Sequence, residues 1–388
     1  MPKISLASSL AKVAPSQIRA IADEAFSMDR VLKLHFGESN LQTPQYLKDA
    51  AYQAMNDGYT FYTENAGLPS LREAISNKIK KLHQVTVNPV DEIVITASGV
   101  QALNVSIRCV IDPGDEAIVL TPNWPNGSAI VSLFGGYPRE IPLLWNGNRY
   151  EINFAALKKT LTPKTKLLIY TSPSNPLGWV ANLSEQQALL DFCRHNQLWL
   201  LADEVYEQIY YAGSVAPSIL RLCNRDDAVI IVQSFSKSYC MTGWRLGWVV
   251  ARRDLVKKAT QLNEFIVSHA PSMIQRAGET ALERGGDEIQ KMVELFQDKV
   301  SFCFEALKSM KHVNVARPEG AFYLFPQIEG VDDSFAFALT LLKKTKVAVA
   351  PGIAFGNGGE GAVRICCAAE MSILEEAMGR IDKFLRTL

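Results

Sequence analysis

Lys237 stands just beyond the apolar run AVIIVQ (228–233), between Ser236 and Ser238, and Arg245 follows eight positions later in TGWRLGW. A lysine in a dry, hydroxyl-lined recess loses basicity because burial penalises its charged form, and it becomes a nucleophile toward aldehydes. The Arg245 guanidinium, with the hydroxyls of Ser234 and Ser236, offers a donor set suited to a phosphate. A second phosphate contact lies in ASGVQAL (97–103), where Gly99 permits close backbone approach and the helix opening at Val100 offers free N–H groups. Asp203 ends the run LWLLAD (198–203). A carboxylate at the end of a buried strand is costly unless it meets a cation or donors, and a protonated pyridine nitrogen is such a cation. Tyr206 and Asn175 supply hydrogen-bonding groups for a ring oxygen, and Trp124 supplies a surface for stacking on an aromatic ring. Taken singly, a solvated loop lysine, a structural arginine, an ordinary Asn-Pro turn and a packing tryptophan account for these residues as well.

The elements that must position them form a rhythm from about residue 90. Short apolar runs, EIVIT (92–96), EAIVLT (116–121), KLLIYTS (166–172), LWLLAD, AVIIVQ and RLGWVV (245–250), alternate with helical stretches. Continuous apolar runs predict strands covered on both faces, and strand–helix alternation predicts an α/β fold with a mainly parallel sheet flanked by helices. The gap between AVIIVQ and RLGWVV is too short for a helical crossover, so the last strand is expected to be antiparallel. Ser184, with Gln187 three residues on, reads as the capping box of the helix SEQQALLDFCRHN. After residue 250 a long helical region to about 310 precedes segments that read as a small antiparallel sheet. We expect a large domain over residues 46–285 and a smaller α+β domain formed by 1–45 and 286–388. Ligands of open α/β sheets lie beyond the C-terminal strand ends, where Gly99, Trp124, Asn175, Asp203 and Lys237 all fall. An aldehyde for Lys237, a phosphate for Arg245 and the serines, a pyridinium for Asp203 and a phenolate for Tyr206 and Asn175 compose one molecule, pyridoxal 5′-phosphate.

Composition narrows the partners. Lys+Arg and Asp+Glu both number 40 in 388 residues, so no net field draws nucleic acid or an acidic membrane. No apolar run approaches the ~18 residues of a membrane span. The seven cysteines show no CxxC spacing and the histidines no pairing, so reduced thiols, a cytoplasmic location and no metal site are expected.

The order SPSNPLG, ADEVY, SFSKSYCMTGWRLGW and VRICCA resembles the class I/II aminotransferases of fold type I over nearly the whole chain. The resemblance implies a seven-stranded main sheet and an enzyme that exchanges an amino group between an L-amino acid and a 2-oxo acid by a ping-pong cycle. It implies that Lys237 bonds the cofactor and then moves the substrate proton. Asp203 pairs with the ring nitrogen, Asn175 and Tyr206 hold the ring oxygen, and Trp124 stacks on the ring. Ser234, Ser236, Arg245 and the backbone of Gly99 and Val100 hold phosphate. Arg364 in VRICCA grips the substrate carboxylate with help from Asn175 and the backbone of Gly37. Tyr62, in YTFYTENAGLPSLREAI, reaches the phosphate of the other subunit, so a homodimer with shared active sites is expected. Asn123, where an aromatic residue is common, and Cys240, where a small one is common, depart from the pattern. Aspartate transamination and a C–S lyase reaction are the competing activities of the same fold. Lyases resembling this family carry a histidine after the aspartate–glutamate pair, where this chain has Val205-Tyr206.

Selectivity for an acidic side chain requires a cation opposite the second carboxylate. Val100 occupies the place where similar aspartate enzymes carry a lysine. The stretch ATQLNEFIVSHAPSMIQ (259–275) holds no arginine or lysine, and His269 reads as a neutral core residue. A neutral, apolar or aromatic amino acid is therefore expected, with glutamate serving as donor if Lys12 or Arg19 swings in.

Overall fold

The computed structural model describes residues 10, 11 and 13–387, so Lys12 lies outside the described residues. Its centre is a seven-stranded sheet of β1 (Ile93–Thr96), β2 (Glu116–Thr121), β3 (Tyr137–Pro142), β4 (Thr165–Thr171), β5 (Trp199–Asp203), β6 (Val229–Ser234) and β7 (Gly247–Ala251), in the spatial order β1-β7-β6-β5-β4-β2-β3. Only β7 is antiparallel to its neighbours, pairing Gly247 with Thr96 on one side and with Ser234 on the other. Successive side chains enter opposite cores: Ile93 and Ile95 pack on one face, and Val94 packs on the other against Val105 and Ala259. That two-sided burial is why the runs are continuous rather than alternating.

Two expectations need correction. The strand β3, YPREIP, is absent from the apolar runs because it is the sheet edge: only Ile141 of its six residues is buried. Its two prolines also read as breakers, although an edge strand tolerates them. The helix Leu183–His195 is capped by Asn182 and not by Ser184. Asn182 accepts the Glu185 N–H at 2.9 Å and Glu185 accepts the Asn182 N–H at 2.9 Å, so the reciprocal pair begins two residues earlier than expected.

The helical region after β7 divides into Arg253–Ile266, Ser272–Arg284 and Gly286–Ser309. Beyond it lies the expected antiparallel sheet, small and fragmented, in which Val363–Cys366 pairs with both Tyr323–Leu324 and Ala350–Pro351. Leu32–Lys33, from the N-terminal segment, pairs in parallel with Val347–Ala348. This pairing carries the following residues, His35 to Gly37, to the C-terminal edge of the main sheet, where they meet Arg364 and Lys237.

Candidate active site

The C-terminal ends of the strands open into one cavity of about 500 Å³. It is lined by Gly37, Gly99, Val100, Trp124, Asn175, Asp203, Tyr206, Ser234, Ser236, Lys237, Arg245 and Arg364. Every candidate site residue except Tyr62 is thus brought together, from segments more than 300 positions apart. Tyr62 is 89% exposed and sets its ring edge-on to His269, with centroids 5.6 Å apart, away from the cavity.

Asp203 ends β5 at the cavity floor and is 5% exposed. Its Oδ1 accepts the Val205 N–H at 3.2 Å, and no salt bridge reaches it among the described residues. Burial raises the carboxyl to about 7, against the smaller opposing pulls of the Val205 N–H and Lys237. Lys237 shows the complementary response: burial lowers its ammonium to about 8. Its Nζ donates to the Gly37 carbonyl at 2.6 Å. Tyr206 is buried, which pushes its phenol upward, and its hydroxyl shares a 2.7 Å hydrogen bond with that of Tyr323. Tyr323 is a contributor that the sequence reading missed. Its hydroxyl occupies the space that a Cβ on Gly37 would need, so residue 37 must be a glycine to pass between Tyr323 and Lys237.

A second corner of the cavity is rich in donors. The Ser234 hydroxyl bonds that of Ser236 at 3.0 Å and accepts the Ser236 N–H at 3.1 Å. Opposite them begins the helix Gly99–Val110, whose first N–H groups have no intrahelical acceptor. Ser98 caps it by accepting the Gln101 N–H at 3.2 Å, from a backbone with φ of 120° that non-glycine residues rarely adopt. A Cβ on Gly99 would stand 3.2 Å from the Ser234 Cβ. Gly247 is a further missed contributor: a Cβ there would meet the Ser98 carbonyl carbon at 2.6 Å and the Gly99 nitrogen at 2.7 Å, so β7 holds this loop by contact. Arg245 completes the corner in a left-handed conformation (φ 58°), its Nη1 donating to the Thr242 carbonyl at 2.5 Å.

At the third corner Arg364 is 2% exposed. Its Nη1 donates to Asn175 Oδ1 at 3.0 Å and its Nη2 to the His35 carbonyl, while the buried Nε has no partner. A buried guanidinium with an unused N–H is a receptor for an anion such as a carboxylate. Trp124, half-buried, forms one wall. The departure at Asn123 has a structural role: its Oδ1 accepts the Trp124 N–H and the Thr171 hydroxyl, each at 2.8 Å, which fixes the tryptophan's backbone. Cys240 lies outside this cavity, with its sulfur against Met292.

No cluster of three or more His, Cys, Asp or Glu residues able to hold a metal occurs among the described residues. Among the same residues, no helix is long and apolar enough to cross a membrane.

The chain is 37% identical over 377 residues to an aspartate aminotransferase of Pyrococcus abyssi, covering 96% of each protein. It is 34% identical to aromatic-amino-acid aminotransferase 2 of Thermococcus litoralis, covering 99% of each. The aromatic aminotransferase structure from Pyrococcus horikoshii superposes with a TM-score of 0.89 at 34% identity, over 95% of this chain and 99% of that one. Residues 29–381 match the family described as aminotransferase class I and II. The arrangement of donors at the strand ends and the extent of these matches lead to one conclusion: this chain belongs to the class I and II aminotransferases and is a transaminase.

Proposed function

We propose that this aminotransferase uses pyridoxal 5′-phosphate to exchange the amino group between a neutral L-amino acid and a 2-oxo acid, in a site completed across a homodimer. The observation that carries the cofactor is Asp203, a buried carboxyl with no ion-pair partner among the described residues, which shares its cavity with the half-buried Lys237. A protonated ring nitrogen supplies the missing cation, the serine and helix-terminus donors fit a phosphate, and Tyr206 with Asn175 fits a ring oxygen. When bound, the cofactor supplies an electron sink for the bond that breaks at the substrate Cα.

The protein's own residues do the rest. Arg364 and Asn175 bind the α-carboxylate and fix the orientation of the Cα–H bond. Lys237, with its ammonium lowered to about 8, exchanges protons near neutral pH, so its Nζ takes the Cα proton as base and returns it as acid. Asp203 holds positive charge at the ring nitrogen. Trp124 covers the ring face. Residues 46–285 form the cofactor-binding unit in this reading, and 1–45 with 286–388 form the smaller unit that brings Gly37 and Arg364 to it.

Of the two relatives above, one is named for aspartate and the other for aromatic amino acids. The cavity wall supports a neutral side chain, because Val13, Ile18, Phe36, Val100 and Leu103 face it. His269 is turned away, with its Nδ1 2.6 Å from the Ala270 carbonyl. The homodimer is supported by exposed apolar residues, Phe61 next to Tyr62 in sequence and Phe265 to Val267 just before His269, whose ring Tyr62 meets. Free thiols at all seven cysteines support a cytoplasmic setting.

Incubation with a panel of amino acids and 2-oxo acids tests the activity. The exchanged amino acid and oxo acid are expected, with neutral donors reacting fastest. Release of ammonia or sulfide without exchange would instead mark a lyase. Aspartate reacting about tenfold faster than every neutral donor, a difference of roughly 1.4 kcal/mol in transition-state binding, would overturn the substrate assignment.

A further inference from the structure

Four cations line the cavity, Arg19, Lys237, Arg245 and Arg364, against one carboxylate, Asp203. The proposed reading gives Lys237 to the cofactor carbon, Arg245 to the phosphate and Arg364 to the α-carboxylate. Arg19 is left without a task. It lies in the first turn of α1 (Gln17–Phe26), where its backbone N–H is held by the Ser16 hydroxyl at 3.3 Å. Its guanidinium stacks over the Phe36 ring, 5.3 Å from the centroid. Neither an ion pair nor a side-chain hydrogen bond engages that guanidinium among the described residues, whereas Arg72 and Arg149 are paired with Glu64 and Glu185.

The residues beneath Arg19 show how it is aimed. The His35 carbonyl accepts from Arg364, the Phe36 ring carries Arg19, and the Gly37 carbonyl accepts from Lys237 at 2.6 Å. Three consecutive residues therefore arrange the carboxylate receptor, the reacting lysine and a further guanidinium around one opening. A guanidinium stacked on an aromatic face keeps its in-plane N–H groups free, and these match a carboxylate. Arg364 is buried in the interior, whereas Arg19 is exposed at the mouth. A second carboxylate must reach outward past Phe36 to meet it.

We propose that Arg19 is the receptor for the distal carboxylate of a dicarboxylic substrate. Neutral side chains then rest on Phe36 and the apolar wall, while an acidic one passes Phe36 to Arg19, and a single cavity serves both halves of the exchange. The proposal rests on the aminotransferase reading above and adds a substrate class to it: a dicarboxylic 2-oxo acid or amino acid, with five-carbon chains favoured over four-carbon ones because the receptor lies at the mouth. The guanidinium is exposed, so salt weakens its contribution.

The test uses the cofactor-loaded enzyme with Arg19→Leu and Arg19→Lys. Amino transfer to 2-oxoglutarate is compared with transfer to phenylpyruvate, and calorimetry measures binding of the unreactive acids glutarate and 3-phenylpropionate. Arg19→Leu is expected to lower kcat/KM for 2-oxoglutarate by about tenfold or more, mainly through KM, and to weaken glutarate binding to a similar degree. Phenylpyruvate and 3-phenylpropionate should change by less than about twofold, and Arg19→Lys should regain part of the loss as a charge without the planar fork. Equal losses for both classes would assign Arg19 to helix packing and overturn the proposal, as would no change in either. A wild-type enzyme that transfers amino groups yet binds glutarate no better than Arg19→Leu overturns this inference alone. A wild-type enzyme that transfers none overturns the underlying reading as well.

Discussion

Asp203 and Lys237 are driven by the same burial in opposite directions, the acid up to about 7 and the base down to about 8. Each charge is a cost to the empty protein that a bound cofactor relieves, so the site is kept at the expense of stability. The sign follows from linkage. Asp203 has a folded value raised above its unfolded 3.8, so it disfavours the fold increasingly as pH rises from about 4 to about 7, and the full cost persists above that. Asp203→Asn should therefore stabilise the cofactor-free protein by about 1 kcal/mol or more at pH 8, with the gain vanishing near pH 4. The same substitution should lower turnover of the loaded enzyme by about a hundredfold or more, because a developing charge loses its fixed partner. Melting curves across pH and steady-state rates check the two halves separately. At this scale much was legible: a lysine after an apolar run and a carboxyl ending one mark groups that must be buried and answered by something. Tyr323 was harder to see, because it works by holding Tyr206. Arg19 was named as a residue that could swing in toward glutamate, but its stack on Phe36, which aims it, is a contact that no local spacing reveals.

The order of elements explains why these groups converge. Parallel strands bring their C-terminal ends to one edge, and the reversed strand β7 alone starts there. Its first residue, Gly247, is therefore pressed against the loop at Ser98 and Gly99. Gly247→Ala should push that loop outward, costing about 1–3 kcal/mol of stability by overpacking and weakening cofactor binding, as melting temperature and a cofactor titration would show. An alanine that leaves both unchanged would mean that the loop is not held from this side. Six strands were readable because both faces are buried and the runs are apolar throughout. The edge strand YPREIP was not, since its exposure removes the apolar signal and its prolines imitate a turn. The cap at Asn182 was displaced to Ser184 because both residues begin a plausible three-residue spacing, and only the chain's direction at entry separates them.

The whole molecule presents Tyr62 on a surface where Phe61, Phe265 and Ile266 are also exposed. Within one chain Tyr62 lies away from the cavity, which fits the expectation that it serves the site of a second copy. Tyr62→Ala and Lys237→Ala proteins, each weakly active or inactive alone, should regain activity when mixed and refolded together, because hybrid dimers hold one site with both native residues. A monomer retaining full activity at high dilution would contradict the shared site.

In the proposed function Lys237 bonds the cofactor through its side-chain nitrogen. Borohydride reduction of the loaded protein, followed by peptide mapping, tests this most directly. One stable label is expected, on the peptide carrying Lys237, and none on Lys237→Ala. A label on any other lysine, or undiminished labelling of Lys237→Ala, would contradict it.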